Sequence, residues 1–363
     1  MAEGVQSDVS KITGGATGKL ASSDGDKIVG LPMPQSIEMV RDPACRPVVA
    51  IRGKRRFPFP VPNGWFVVAR GDELAPGTKL SRNYFGRDLV AFRTESGQAR
   101  VVDAYCAHLG AHLGVGGVIQ GESIKCPFHG WRYDGESGQC VEIPYAPDAK
   151  IPQRARVRSF PVVEKNRQVW AWHHLEGKPP FYEVPDVAEF SSSDWHEPYF
   201  TDFRIRTSCQ EMAENNHDAV HFQFVHGTPD IPQEEMTIEG HFKRVIARGG
   251  AFVRESHGMG LGVLRIKNIL TFISSVTPID EDNVHVRWTF TSPKTLDEGV
   301  MKQSADSFLA GVSQDIPIWE NKIYRDRPVL TKAEATIADH RRWSQQFYSD
   351  PAKNIDLAPI AEQ

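Results

Sequence analysis

Between residues 60 and 175 the apolar positions fall in short alternating runs. WFVVAR (65–70), KLSRNYF (79–85), LVAFRT (89–94), ARVVDAY (99–105), RSFPVVEK (158–165) and VWAWHH (169–174) read as strands. Turn formers such as Gly71, Asp72, Pro76, Gly77 and Gly86 separate several of them, so this half predicts a small all-β barrel or sandwich. In GKPPFYEVPDV (177–187) prolines are dense and the periodicity stops. Beyond it, a strand-like YFTDFRIRTS (199–208) runs into a helical QEMAENNHDAVHFQFVH (210–226). Further strand patterns follow at HFKRVIAR (241–248), LRIKNILTFISSV (264–276) and VHVRWTFTS (284–292), and then a helical stretch over roughly 296–323. The expectation is an α+β chain with an all-β domain over 36–176 and an α+β domain over 177–363. Residues 1–35 are rich in Gly, Ser and Asp and poor in aromatics, which predicts a disordered tail.

Composition narrows the function classes. The 363 residues carry a net charge of −4, with 40% hydrophobic and 24% charged side chains. The balance gives no electrostatic case for nucleic acid or an anionic membrane. No apolar stretch approaches the roughly 20 residues of a spanning helix, and the N-terminus lacks the apolar core of a secretory signal. Five cysteines, at 45, 106, 126, 140 and 209, are too few and odd in number for a disulfide framework. A reducing cytoplasm is expected, with metal binding the first role to test.

Two cysteines have histidines beside them. Residues 106–110 read CAHLG and residues 126–131 read CPFHGW: Cys-x-His, seventeen residues, Cys-x-x-His. Each pair follows a strand-like run, and Gly110, Pro127 and Gly130 make the loops tight. Cys106, His108, Cys126 and His129 are therefore candidate ligands, two thiolates for one iron and two imidazoles for the other of a [2Fe–2S] cluster. A structural zinc site would have both cysteines first and both histidines after. The arrangement resembles the Rieske motif, and GWRYD (130–134) with GESGQC (135–140) resembles its continuation. His112 is expected to pack or hydrogen-bond near the cluster. Cys45, Cys140 and Cys209 are expected to be ordinary thiols.

ENNHDAVHFQFVH (214–226) holds a second set. On a continuous helix His217 and His221 share a face, as i and i+4. His221 and His226 lie roughly 140° apart and converge only if the helix distorts or breaks, for instance in a wide turn of the π type. Geometry alone favours 217 with 221. Farther on, Phe308, Val312, Asp315 and Trp319 fall on one helical face, and an acid in an apolar stripe is costly unless paired or metal-bound. Pro317 is expected to disturb the helix just after Asp315.

Asp218-Ala-Val-His221-Phe-Gln-Phe-Val-His226 matches the Asp-x-x-His-x-x-x-x-His segment of the Rieske non-haem iron oxygenases. The resemblance covers about residues 60–330. It implies a helix-grip-like catalytic domain with an antiparallel sheet, and a mononuclear Fe(II) held by His221, His226 and Asp315. It also implies an electron bridge at Asp218 to a cluster histidine of a neighbouring subunit, with Asn215 in support and His217 outside the ligand set. Within the family, EN-x-x-D-x-x-HF-x-x-VH and QD-x-x-IW-x-x-K (with PVPNGWFVVARGDELAPG, 60–77) resemble the 3-ketosteroid 9α-hydroxylase oxygenase components and the cholesterol 7-desaturases.

That likeness implies oxidation of a steroid or similar bulky apolar ring compound by O2, giving an alcohol or an alkene. Phe222, Phe224, Ile269, Leu270, Phe272, Ile273 and Phe290 are candidate pocket residues. No nicotinamide or flavin is expected on the chain. GMGLGV (258–263) has the wrong spacing for dinucleotide binding, and there is no P-loop. Electrons would come from a separate NAD(P)H-dependent reductase, directly or through a ferredoxin. The bridge implies a homotrimer joined head to tail. Two rival readings remain at this point: an O- or N-demethylase or ring hydroxylase of a smaller aromatic compound, and a Rieske electron carrier without oxygen chemistry.

Overall fold

The computed structural model describes residues 56–349; the tail expected over 1–35, and Cys45, lie outside the described residues. The first half is built from three small antiparallel sheets. One joins Gly64–Arg70, Gln168–His173 and Val162–Lys165; a second joins Lys79–Tyr84, Arg87–Arg93, Ala99–Asp103 and Ser159–Phe160. The third joins Val118–Gln120, Ser123–Lys125, Arg132–Asp134 and Cys140–Glu142. The run predicted as one strand over 158–165 is split at Pro161, which has no N–H to give to a ladder.

The second half is one seven-stranded antiparallel sheet. Its spatial order is Tyr199–Ile205, Val284–Thr291, Leu270–Pro278, Leu261–Ile266, Phe252–His257, Phe242–Ala247, Glu234–Glu239. Among the described residues four α-helices accompany it: α1 (Cys209–Glu214), α2 (Ala219–Phe224), α3 (Glu298–Asn321) and α4 (Ala335–Ser344). The run 264–276, read from its apolar pattern as one strand, is a hairpin. Asn268 turns the chain at φ 60°, and two strands pair across it, Ile266 opposite Leu270. Strands Glu234–Glu239 and Phe252–His257 carry too many charged residues to stand out by pattern.

The central strands of this sheet are buried on both faces: every residue of VHVRWTFT is buried, although His285, Arg287, Thr289 and Thr291 alternate with its apolar positions. One face packs on α3, with Phe272 and Phe308 rings 4.9 Å apart. The opposite face meets the first half. There Thr277 Oγ1 donates to the Val67 carbonyl at 2.7 Å, and Ser275 Oγ and Thr289 Oγ1 both bond the Gln168 amide, at 2.8 and 2.6 Å. One hydrophobic core therefore runs through the predicted boundary near 177, from Trp65, Phe66 and Trp170 to Leu270, Ile273 and Trp319. The glycines of GMGLGV serve this seam. A Cβ on Gly258 would lie 2.0 Å from the Tyr182 hydroxyl, and one on Gly260 would lie 2.3 Å from the Trp65 carbonyl.

Candidate active site

The first set of ligand candidates sits on two loops of matching shape. Gly110 N–H donates to the Cys106 carbonyl (2.9 Å) and Gly130 N–H to the Cys126 carbonyl (3.1 Å). The returning bonds run from Cys106 N–H to Ala111 O and from Cys126 N–H to Trp131 O. Gly110 and Gly130 hold φ of 73° and 74°, where a side chain would be strained. A separate small core containing both cysteines, Leu113, Ile124 and Tyr133 supports the loops.

The cysteines are buried and free of disulfides, and the His108 and His129 rings stand 4.8 Å apart. His108 stacks on Trp131 with its buried Nδ1 unpartnered, the environment of a ring whose nitrogen awaits a ligand. Tyr133, which the motif did not single out, brings its hydroxyl to 3.1 Å from both Cys106 Sγ and the Ala107 amide. No three of the four candidates bring ligand atoms within 4.8 Å of one another. His112 accepts from the Gly114 amide at 3.1 Å and packs on Tyr105, the packing and hydrogen-bonding place expected of it.

The helix read over 210–226 is interrupted. A 3₁₀ turn spans Asn215–His217, and Asp218 takes extended angles (φ −105°, ψ 91°) before α2 begins. Asp218 Oδ1 caps α2, accepting from the Val220 and His221 amides at 3.0 and 3.1 Å. Because α2 ends at Phe224, His226 lies past its terminus rather than on a continuous helix. A break and an ending bring His221 and His226 together, with no π turn, and their rings stand 5.1 Å apart. Asp315, buried on α3, comes to 3.3 Å from His226 Nε2. His221, His226 and Asp315 form the one group of three metal-ligating side chains within 4.8 Å among the described residues.

Hydrogen bonds select the free nitrogen of each ring. His221 Nδ1–H donates to the Asp218 backbone carbonyl, leaving Nε2 for a metal. The Asp218 carboxylate is not this acceptor: its Oδ2 stays 4.0 Å from His221 Nδ1, while Oδ1 caps the helix. His226 Nδ1–H donates to Gln314 Oε1 at 2.9 Å, a partner with no signal in the sequence. Burial lowers the His221 pKa, favouring the neutral imidazole that ligates. His217 is not on the surface as an outlying helix histidine would be. It is buried, and its Nε2 meets Lys243 Nζ at 2.7 Å.

Asp315 does not owe its aim to Pro317. α3 runs through that proline to Asn321, because burying Val312, Asp315 and Trp319 on one face outweighs the lost bond. Asn215 lines the same pocket and accepts from Trp319 Nε1 at 3.3 Å. The pocket lies between α3 and the sheet. Of the sequence candidates, Phe222 and Phe272 line it. Phe224 is 77% exposed, Ile273 turns to the opposite sheet face, and Ile269, Leu270 and Phe290 belong to the core without lining the pocket. No helix of the described residues is long and apolar enough to cross a membrane.

A Rieske [2Fe-2S] domain model matches residues 64–161, and a 3-ketosteroid 9α-hydroxylase C-terminal domain model matches residues 171–348. The chain is 31% identical over 331 residues to the 3-ketosteroid-9-alpha-monooxygenase oxygenase component of Mycolicibacterium smegmatis, covering 82% of this chain and 84% of that protein. It is 30% identical over 348 residues to the cholesterol 7-desaturase nvd 1 of Ciona intestinalis, covering 82% and 70%. Among solved structures, dicamba monooxygenase bound to dicamba is similar in fold at TM-score 0.64 and 20% identity, covering 78% of this chain and 96% of that one. NdmA of Pseudomonas putida CBB5 gives TM-score 0.66 at 20% identity, covering 77% and 88%.

The chain belongs to the Rieske non-haem iron oxygenases, in the group that holds the 3-ketosteroid 9α-monooxygenase oxygenase components and the cholesterol 7-desaturases. It is an oxidoreductase, and its cofactors are a Rieske [2Fe–2S] cluster and a mononuclear iron.

Proposed function

We propose that this chain is the terminal oxygenase component of a multicomponent monooxygenase that hydroxylates or desaturates a steroid or a similar bulky apolar ring compound. The observation that carries this reading is the convergence of His221, His226 and Asp315 in the wall of an otherwise largely apolar pocket. Relatives named for 3-ketosteroid and cholesterol chemistry support the substrate class. Cys106, His108, Cys126 and His129 hold the cluster; His221 Nε2, His226 Nε2 and an Asp315 oxygen hold the iron. Held by two histidines and one carboxylate, the iron would supply O2 activation when electrons are delivered. The chain's own part is to orient both imidazoles, through the Asp218 carbonyl and Gln314, and to seat the substrate against Phe222 and Phe272.

Electrons come from a separate NAD(P)H-dependent reductase, directly or through a ferredoxin. Asp218 Oδ2, free of hydrogen bonds among the described residues, accepts from a cluster histidine of a neighbouring copy in a head-to-tail homotrimer. Two exposed apolar patches support that pairing: Leu109 and Phe128 beside the cluster loops, and Phe224 and Ile318 beside the iron ligands. The test is an iron count with a turnover assay. Two irons in the cluster and one in the second site, and a steroid product only when a reductase is added, are expected. A chain with cluster iron alone that oxidises no ring compound would return the electron carrier.

A further inference from the structure

Arg254 is the one arginine or lysine among the described residues lining the pocket, and it is 5% exposed. It lies on strand Phe252–His257, and register pairs it with Leu264, and through it with Phe272, on the sheet face that looks at α3. Its NH2 donates to the buried carboxylate of Glu234, while Nε and NH1 have no partner. Buried guanidinium N–H groups are seldom left unpaired, so this wall lacks an acceptor that something must supply.

The surroundings define that acceptor. Glu234 already neutralises Arg254, and the nearby Asp218 charge helps burial to push the Glu234 carboxyl up. Asp315 adds another acid to the pocket. A second carboxylate here would be a buried charge without a free cation, whereas a carbonyl oxygen accepts from an N–H and brings no charge. The unpartnered atoms are donors only, which suits a ketone better than a hydroxyl with its own proton to place. Position agrees as well. The Arg254 guanidinium carbon is 5.6 Å from the Phe222 ring centre, which is 5.7 Å from the His226 ring. One aromatic ring thus separates the unpaired donors from the proposed iron ligands.

We propose that Arg254 is the specificity-determining anchor of the pocket. An unpartnered N–H of its guanidinium binds a neutral carbonyl oxygen at one end of the substrate, and the ring system lies along Phe222 toward His221, His226 and Asp315. This rests on the ring-compound reading above.

The test is anaerobic binding to the holoprotein without reductase, followed by tryptophan emission, since Trp288 and Trp319 line the pocket. The probes are one steroid skeleton in three forms: with a ring ketone, with that ketone replaced by CH2, and with a carboxylate in its place. The wild type is expected to bind the ketone at least about tenfold more tightly than the methylene form. Arg254→Met combined with Glu234→Leu, which removes both buried charges, is expected to erase that preference while keeping methylene-form affinity. Arg254→Lys is expected to retain part of it. Unchanged cluster absorption certifies the fold of each variant. A double variant that keeps the ketone preference, or a wild type that binds all three forms alike, overturns the role of Arg254 and leaves the oxygenase reading standing. Tighter binding of the carboxylate overturns the neutral-acceptor assignment. A wild type that binds none of the three overturns the ring-compound reading itself.

Discussion

Cys106, His108, Cys126 and His129 stand on two loops of the same shape, each closed by its own glycine and its own backbone bonds. His221, His226 and Asp315 come from a short helix, the residue past its C-cap and the last third of a long helix far downstream. The first set is held mainly by local geometry. The second exists only after α3 has packed on the sheet and the chain has broken at Asp218. A locally built site tolerates distant change and fails when its loop fails; a site assembled at long range depends on partners outside its ligands.

The sharpest way to break the comparison is His226→Ala. Turnover should fall at least about a thousandfold while the cluster's absorption stays, because the loop site does not depend on it. A lost cluster spectrum would show the two sites to be interdependent. Next comes Gln314→Leu, which removes the acceptor of His226 Nδ1–H. Iron affinity is expected to drop about 10–100-fold, read by chelator competition, with cluster content constant.

Gly130→Ala tests the loop site from the other side. A Cβ there would lie 2.9 Å from Pro144 Cγ at φ +74°, so a cost of about 1–2 kcal/mol and reduced cluster content are expected, with mononuclear iron unchanged. His217→Ala asks whether the nearest spare histidine ligates. It should leave iron content intact and lower stability by about 1–3 kcal/mol, since Lys243 loses a buried partner.

The smallest expected effect is a slope. Burial pushes the Lys243 amine down to about 6, whereas the unfolded chain takes up that proton below about 10.5. Between those values the unfolded state binds more protons, so the lysine makes stability rise with pH. The melting temperature of the wild type should therefore climb more from pH 7 to pH 9 than that of Lys243→Met. Equal slopes would mean that the amine keeps its proton in the fold, held over the Trp343 ring at 3.8 Å.

Many of the strands, the place of the cluster loops and the two-part architecture were legible in the sequence because each rests on neighbours. Alternation marks a strand, a glycine past a histidine marks a tight loop, and Cys-x-His with Cys-x-x-His carries its chemistry in its spacing. The resemblance to the Rieske oxygenases supplied the three proposed iron ligands, whereas helical geometry alone would have joined His217 to His221. Contacts between remote segments chose differently. His217 turned to Lys243 and His340, Asp218 spent its carboxylate on a helix cap, and His226 fell beyond a helix end. Gly258 and Gly260 became a seam for Trp65 and Tyr182, Pro317 stayed inside a helix, and Gln314 and Arg254 acquired their places in the pocket. Which face a side chain takes, and which of two rings finds an acceptor, is decided by what packs against it. That information belongs to pairs of residues distant in the chain, and only the folded molecule brings those pairs together.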